Sequence, residues 1–214
     1  MEMMALLMWH KNGEHMKRNR YVVVDPRLTF LLSSCANAFR SCRKPDTFKW
    51  DKLLTRFPKG ECLNREPQLH WIRDVDIIFV PMNWKAEKHW VGLAICLQRR
   101  VIEIMDPLRS LTRESVVRSR ILPIMEMLPY LVRATCKDYL DKPYPVTPFT
   151  YIRNQRLAQN PTTGDCGPYA MEFIELYMLN TPVEDMFSIE EDDMYNFRKG
   201  YTVDLYEHGI GSLT

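Results

Sequence analysis

Between residues 75 and 105 the apolar positions of this chain run together in three successive stretches. Ile77-Ile78-Phe79-Val80 is stopped by Pro81, residues 90–97 follow, and residues 101–105 come third. Short continuous β-prone runs bounded by breakers predict buried strands. Only Gln98, Arg99 and Arg100 separate the second run from the third, a length that suits a hairpin. Residues 149–152 add a further short candidate strand. Elsewhere the apolar spacing is helical, over residues 4–9 (a short stretch) and residues 28–40. Ala170, Phe173, Ile174, Tyr177 and Met178 draw one face of a helix over residues 168–179. Ser110 stands where it could cap a helix running to about Met127, with Val116, Val117, Ile121, Ile124 and Leu128 on its stripe and Pro123 as a kink or break. Residues 43–74 are polar and broken by Pro45, Pro58, Gly60 and Pro67, which predicts short helices and loops anchored by Phe48, Trp50, Leu53, Leu54, Phe57 and Trp71. The tail is acidic over residues 190–193 and is expected to end in a short peripheral helix. With no repeat or linker, residues 1–214 read as one α+β domain, a small central mixed or antiparallel sheet flanked by helices.

Composition narrows the function. Of 214 residues 46% are apolar and 26% charged, which excludes a disordered tail and a membrane-embedded chain. Basic and acidic side chains number 29 and 27, a balance that argues against a nucleic-acid binder. The apolar stretch of residues 3–9, behind Glu2, is too short to span a bilayer and lacks the basic flank of an export signal, so the cytoplasm or nucleus is the expected location. Lys17-Arg18-Asn19-Arg20 reads as a solvated face, and the 13 methionines read as core filler. Cys35, Cys42, Cys62, Cys96, Cys136 and Cys166 show no CxxC spacing and no zinc-finger pattern, and His10, His15, His70 and His208 show no partner spacing. No metal or cofactor is therefore expected, and most of the cysteines read as small buried hydrophobes. Cys166 differs. It lies in Gly164-Asp165-Cys166-Gly167-Pro168, where two of the chain's 8 glycines bracket one thiol.

The polar outliers converge on that thiol. His89 stands just before the second strand and Asp106 just after the third, so the open end of the hairpin would bring them together. A carboxylate beside an imidazole fixes its tautomer and stabilises its protonated form. Cys166 sits at the mouth of a helix, where unpaired N–H groups favour thiolate over thiol. Singly, a histidine at a strand start is an ordinary surface or core residue, and an aspartate before Pro107 an ordinary turn former. Jointly they are the parts of a nucleophile, a general base and an orienting acid, in the chain order His…Asp…Cys. Papain-like enzymes place the cysteine first.

The run from His89-Trp90-Val91-Gly92 through Ile104-Met105-Asp106-Pro107, followed by Gly164-Asp165-Cys166-Gly167, resembles the ubiquitin-like-protein (SUMO, or sentrin-specific) cysteine proteases. Phe79-Val80-Pro81-Met82-Asn83 is also similar to the segment that precedes the histidine in that family. The resemblance is clear over about residues 74–179, and in style it is nearest to the divergent copies of plant genomes. It implies a papain-like cysteine-protease core and a thiol peptidase or isopeptidase cleaving after the terminal Gly-Gly of a SUMO-type modifier, working as a monomer. It further implies Cys166 as nucleophile, His89 as base, Asp106 as the orienting carboxylate and Trp90 as one wall of a tunnel that admits only glycine. The family places an oxyanion-stabilising Gln six positions before the cysteine; here that position is Asn160, followed by Pro161, with Gln159 one residue earlier. Side-chain length favours Gln159, which is the expected oxyanion donor; register favours Asn160, which is the alternative. The family's Trp-Leu-x-Asp segment is not found, and residues 2–9 look like the helix that would follow it, so the expectation is either a truncated fragment or a gene model that begins late. Two other functions compete: a thiol-dependent acetyltransferase of the same architecture, and a decayed module that binds a modifier without cleaving it.

Overall fold

The computed structural model describes residues 2–61, 68–160, 164–182, 185–186 and 188–207. Cys62, Pro161 and His208 lie outside the described residues. Five strands form one sheet in the order β1-β2-β3-β4-β5: β1 (Tyr21–Val23), β2 (Ile77–Trp84), β3 (His89–Cys96), β4 (Val101–Met105) and β5 (Thr150–Arg153). The centre, β2-β3-β4, is antiparallel, and an edge strand adds in parallel on each side. Parallel pairing requires a crossover. Helices α2 (Arg27–Arg40) and α3 (Lys52–Arg56) lie between β1 and β2, and α4 (Glu114–Thr135) between β4 and β5. The remaining helices are α1 (Glu2–Asn19), α5 (Cys166–Met178) and α6 (Glu191–Glu207).

Both faces of the central strands are buried. Ile78, Val80, Leu93, Ile95, Ile102 and Ile104 pack with α2 and α4 on one side. Phe79, Ala94 and Met105 pack with α1 and α5 on the other. Double burial is why β2 and β3 carry near-continuous apolar runs instead of alternating ones.

Four boundaries differ from the sequence expectation. Strand β2 does not stop at Pro81 but continues to Trp84, with Pro81 opposite Gly92. The Val24 N–H donates to Phe79 O at 2.9 Å, so the next donor in that parallel ladder would be the N–H that Pro81 lacks. The proline ends the pairing with β1 and leaves the pairing with β3 intact. Helix α1 runs on through polar residues to Asn19, held by Ala5, Met8 and Met16 in the core and by His15 Nε2 against Met178 O at 2.9 Å. Helix α4 starts at Glu114, with Arg113 and not Ser110 at the cap position, and Ser110 falls in a 3-10 turn, Arg109–Leu111. It also runs through Pro123 and Pro129. Pro129 cannot bond Met125 O, and the Phe149 N–H donates to that carbonyl instead, at 3.0 Å, fixing the approach to β5. Finally, α6 is a 17-residue helix packed on α1 and α5, not a short peripheral one.

Helix α5 rests on β3 at Gly92. A Cβ there would stand 3.0 Å from Ala170 O, 3.1 Å from Ile174 Cγ1 and 3.1 Å from Met105 Cε. The first of these is helix backbone, so relief requires α5 itself to move. G92A is expected to cost about 1–3 kcal/mol by overpacking, read as a lowered urea midpoint. An unchanged midpoint would show that α5 shifts freely on the sheet.

Candidate active site

The β3–β4 ladder begins at Gly92 opposite Met105, so His89 and Asp106 project from its open end. There His89 Nε2 meets Asp106 Oδ1 at 2.8 Å, with the two side chains only 1% and 0% exposed. The Trp84 ring lies behind the imidazole, centroids 5.6 Å apart. Engagement of Nε2 by the carboxylate leaves Nδ1 as the ring nitrogen available to a thiol. Cys166 is the first residue of α5, and its Sγ accepts the Trp90 N–H at 3.4 Å. Gly164, just upstream, has φ +126°, in the region that favours glycine. The structure thus brings together the thiol, the imidazole and the carboxylate that the sequence singled out.

Burial alone would discharge all three groups, and their mutual contacts reverse this. Burial pulls the His89 ring down, but the hydrogen bond to Asp106 and the nearby Cys166 sulfur outweigh it and raise the ring to about 9. Burial pushes the Cys166 thiol up, yet His89 and the Trp90 N–H bring it below its ordinary value. Asp106 is likewise pushed up by burial and held low overall by His89, the Leu108 N–H and Arg153. Both shifts favour a thiolate–imidazolium pair backed by a carboxylate over the neutral thiol and imidazole. A raised imidazole is fully charged below its ordinary 6.5 and loses its proton as pH rises through about 9. A lowered thiol is ionised above its ordinary 9.0 and is reprotonated only as pH falls below that value. Alkylation of Cys166 by iodoacetamide, followed by mass spectrometry, is expected to keep its fast rate to a pH below the ordinary thiol midpoint of 9.0 and to change again near pH 9 as His89 loses its proton. A single step at the ordinary thiol value would refute the pair.

The amide residues before the cysteine fall differently from expectation. Gln159, expected as the oxyanion donor, turns its carboxamide onto the backbone: Nε2 donates to Asp106 O (3.0 Å), Leu157 O (3.2 Å) and Ala158 O (2.9 Å), and Oε1 accepts the Arg109 N–H (2.8 Å). It ties the pre-cysteine segment to the turn after Asp106. Asn160 is 2% exposed, and its N–H donates to Pro107 O at 2.6 Å. Trp90 is half-buried and borders a groove of about 820 Å³ that Phe30, Met82, Trp84, Lys85 and Pro123 also line. Sequence reasoning missed Arg153, at the end of β5, whose Nη2 lies 2.6 Å from Asp106 Oδ2. An arginine on a short edge strand carries no signal of such a contact.

The model of the Ulp1 protease family, C-terminal catalytic domain, matches residues 1–213. Among solved structures, the Ulp1 protease domain in complex with Smt3, the yeast orthologue of SUMO, is similar with a TM-score of 0.59 at 15% identity, over 95% of this chain and 73% of that one. A SUMO protease Ulp1 with its catalytic cysteine oxidised to a sulfonic acid gives 0.60 at 17% identity, over 95% and 73%. A de-sumoylating protease gives 0.55 at 13%, over 99% and 76%. At these identities the structural likeness speaks for the fold. No curated protein matches the chain.

Proposed function

Because the chain belongs to the Ulp1 protease family of cysteine peptidases, we propose that it cleaves after the C-terminal Gly-Gly of a SUMO-type modifier, with Cys166 as nucleophile, His89 as general base and acid, and Asp106 as the carboxylate that orients His89. The observation that carries this reading is the buried 2.8 Å contact between His89 Nε2 and Asp106 Oδ1 at the sheet end where the Cys166 thiol opens α5. The Cys166 thiolate attacks the carbonyl carbon of the terminal glycine. The oxygen that becomes negative is met by the N–H groups at the start of α5 and by the Asn160 carboxamide. As the tetrahedral species collapses, the imidazolium of His89 gives its proton to the departing amine and a thioester remains. Water then attacks the thioester while His89 takes its proton, and the thiolate leaves. Trp90 supplies an indole face against which only a flat, side-chain-free Gly-Gly strand packs.

Register and burial favour Asn160 over Gln159 as oxyanion donor, since the Gln159 amide is already engaged. A SUMO-type modifier ending in a Gly-Gly vinyl sulfone is the direct probe, and it is expected to label Cys166 and no other cysteine. With a cleavable conjugate, N160A is expected to lower kcat on the order of 100-fold. Q159A is expected to act mainly by loosening the loop. Failure of the probe to label Cys166 while iodoacetamide does would sink the modifier reading. Full activity in N160A would return the oxyanion role to Gln159 or the backbone alone.

A further inference from the structure

Arg153 ends β5 in parallel register with Ile104, so its side chain reaches the residue that follows β4. Its side chain is 8% exposed. The guanidinium contacts Asp106 Oδ2 with Nη2 at 2.6 Å and with Nε at 3.1 Å. Its other contacts hold the turn beyond Asp106: Nη1 to Thr112 O (3.1 Å), and Nη2 to Arg109 O (2.9 Å) and Thr112 Oγ1 (3.1 Å). The opposite carboxylate oxygen, Oδ1, accepts His89 Nε2 at 2.8 Å and the Leu108 N–H at 2.9 Å. Both oxygens are thus filled, each by a different side of the site.

Resting on the proposed triad, we propose that Arg153 is a positioning residue for the reaction, locking the rotation of the Asp106 carboxylate so that Oδ1 is presented to His89 Nε2. A carboxylate held from one side only can turn about its Cβ–Cγ bond, and the histidine then loses its directional partner. A planar guanidinium whose Nη2 and Nε both converge on Oδ2, and which is itself anchored on Arg109 O and Thr112 O, fixes the direction of that oxygen in a way a lysine head cannot. The clamp also keeps a fully buried carboxylate ionised, since removing one partner of a buried charge leaves it uncompensated. The charged groups around Asp106 are His89 from β3, Arg153 from β5 and Arg109 from the following turn; Glu114, at the start of α4, lies 3.8 Å from Arg153 Nη1. Without Arg153, Asp106 binds a proton more readily, the imidazolium loses its counter-charge, and the Cys166 thiolate loses its stabiliser in turn.

The test compares wild type, R153M and R153K in two assays: cleavage of a SUMO-type conjugate, and the pH dependence of Cys166 alkylation by iodoacetamide, which needs no substrate. R153M is expected to lower kcat about 10- to 100-fold with KM within about twofold, and to move the acid-side alkylation midpoint up by about one pH unit. R153K, which keeps the charge and loses the paired Nη2 and Nε contacts to Oδ2, is expected to fall between. A folded R153M with wild-type kcat, or with an alkylation midpoint unmoved or lowered, overturns the proposal. If R153M does not fold, R153K decides, and its equality with wild type in both assays overturns the proposal. Wild type that cleaves no modifier, combined with a midpoint that still moves in R153M, removes the substrate assignment and leaves the positioning role standing.

Discussion

Replacing Cys166 with alanine is expected to lower conjugate cleavage by at least about 10⁴-fold while leaving the affinity for the modifier within a few-fold. The loss is large because the thioester route has no second nucleophile. The surrounding donors can polarise a carbonyl, but among the described residues at the start of α5 no other side chain is a thiol. The effect on folding is small, since the substitution removes one sulfur atom from the first residue of a helix and puts a better helix former there. The Trp90 N–H loses a weak acceptor at 3.4 Å. The measurement pairs a cleavage time course at stoichiometric enzyme with a binding titration using the same modifier. Turnover near the wild-type rate would show that another group attacks. Loss of both turnover and binding would place the damage in the fold.

The second large effect is expected at Asp106. D106N keeps the shape of the side chain and is expected to cost about 10³- to 10⁴-fold in kcat through the histidine tautomer. An asparagine offers one oxygen and one NH₂. If the oxygen stays on Arg153, the NH₂ faces His89 Nε2, the ring proton moves to Nδ1, and the nitrogen nearest the sulfur can no longer accept the thiol proton. If the amide flips, its NH₂ meets the guanidinium of Arg153, donor against donor, at what is now a 2.6 Å contact. Either arrangement also removes the charge that raises His89 to about 9, so the ring falls back and the Cys166 thiol rises. Iodoacetamide reactivity at pH 7 is therefore expected to drop to that of an ordinary thiol. A D106N enzyme within about tenfold of wild type, with its thiol still reactive, would rule out Asp106 as the orienting group.

The sequence disclosed the centre of this molecule better than its edges. The β3–β4 hairpin and the positions of His89 and Asp106 were legible because a doubly buried sheet leaves unbroken apolar runs, and a short loop fixes which ends meet. Helix α5 was legible from its own periodicity. Strand β1 was not, because three residues in parallel pairing draw their stability from β2, far away in sequence. Pro81 misled because a missing donor terminates one ladder without ending the strand. The start of α4 was displaced from Ser110 because residues 108–112 are held by Asp106 and Arg153, contacts that depend on the finished site. Gln159 and Arg153 share that property. One is an exposed amide and the other an arginine on an edge strand, and only tertiary neighbours reveal what either holds.

The order in which these parts arrive matters for a chain made from its N-terminus onward. The imidazole and the carboxylate meet through a local hairpin, which closes quickly and at little entropic cost. The sulfur belongs to a helix about sixty residues further along, and it is seated only when that helix docks over Gly92. Until then the thiol has no imidazolium beside it and behaves as an unactivated one. A nascent or partly unfolded molecule is in this way proteolytically silent and less open to oxidation, and nucleophilic power emerges only with the completed tertiary structure.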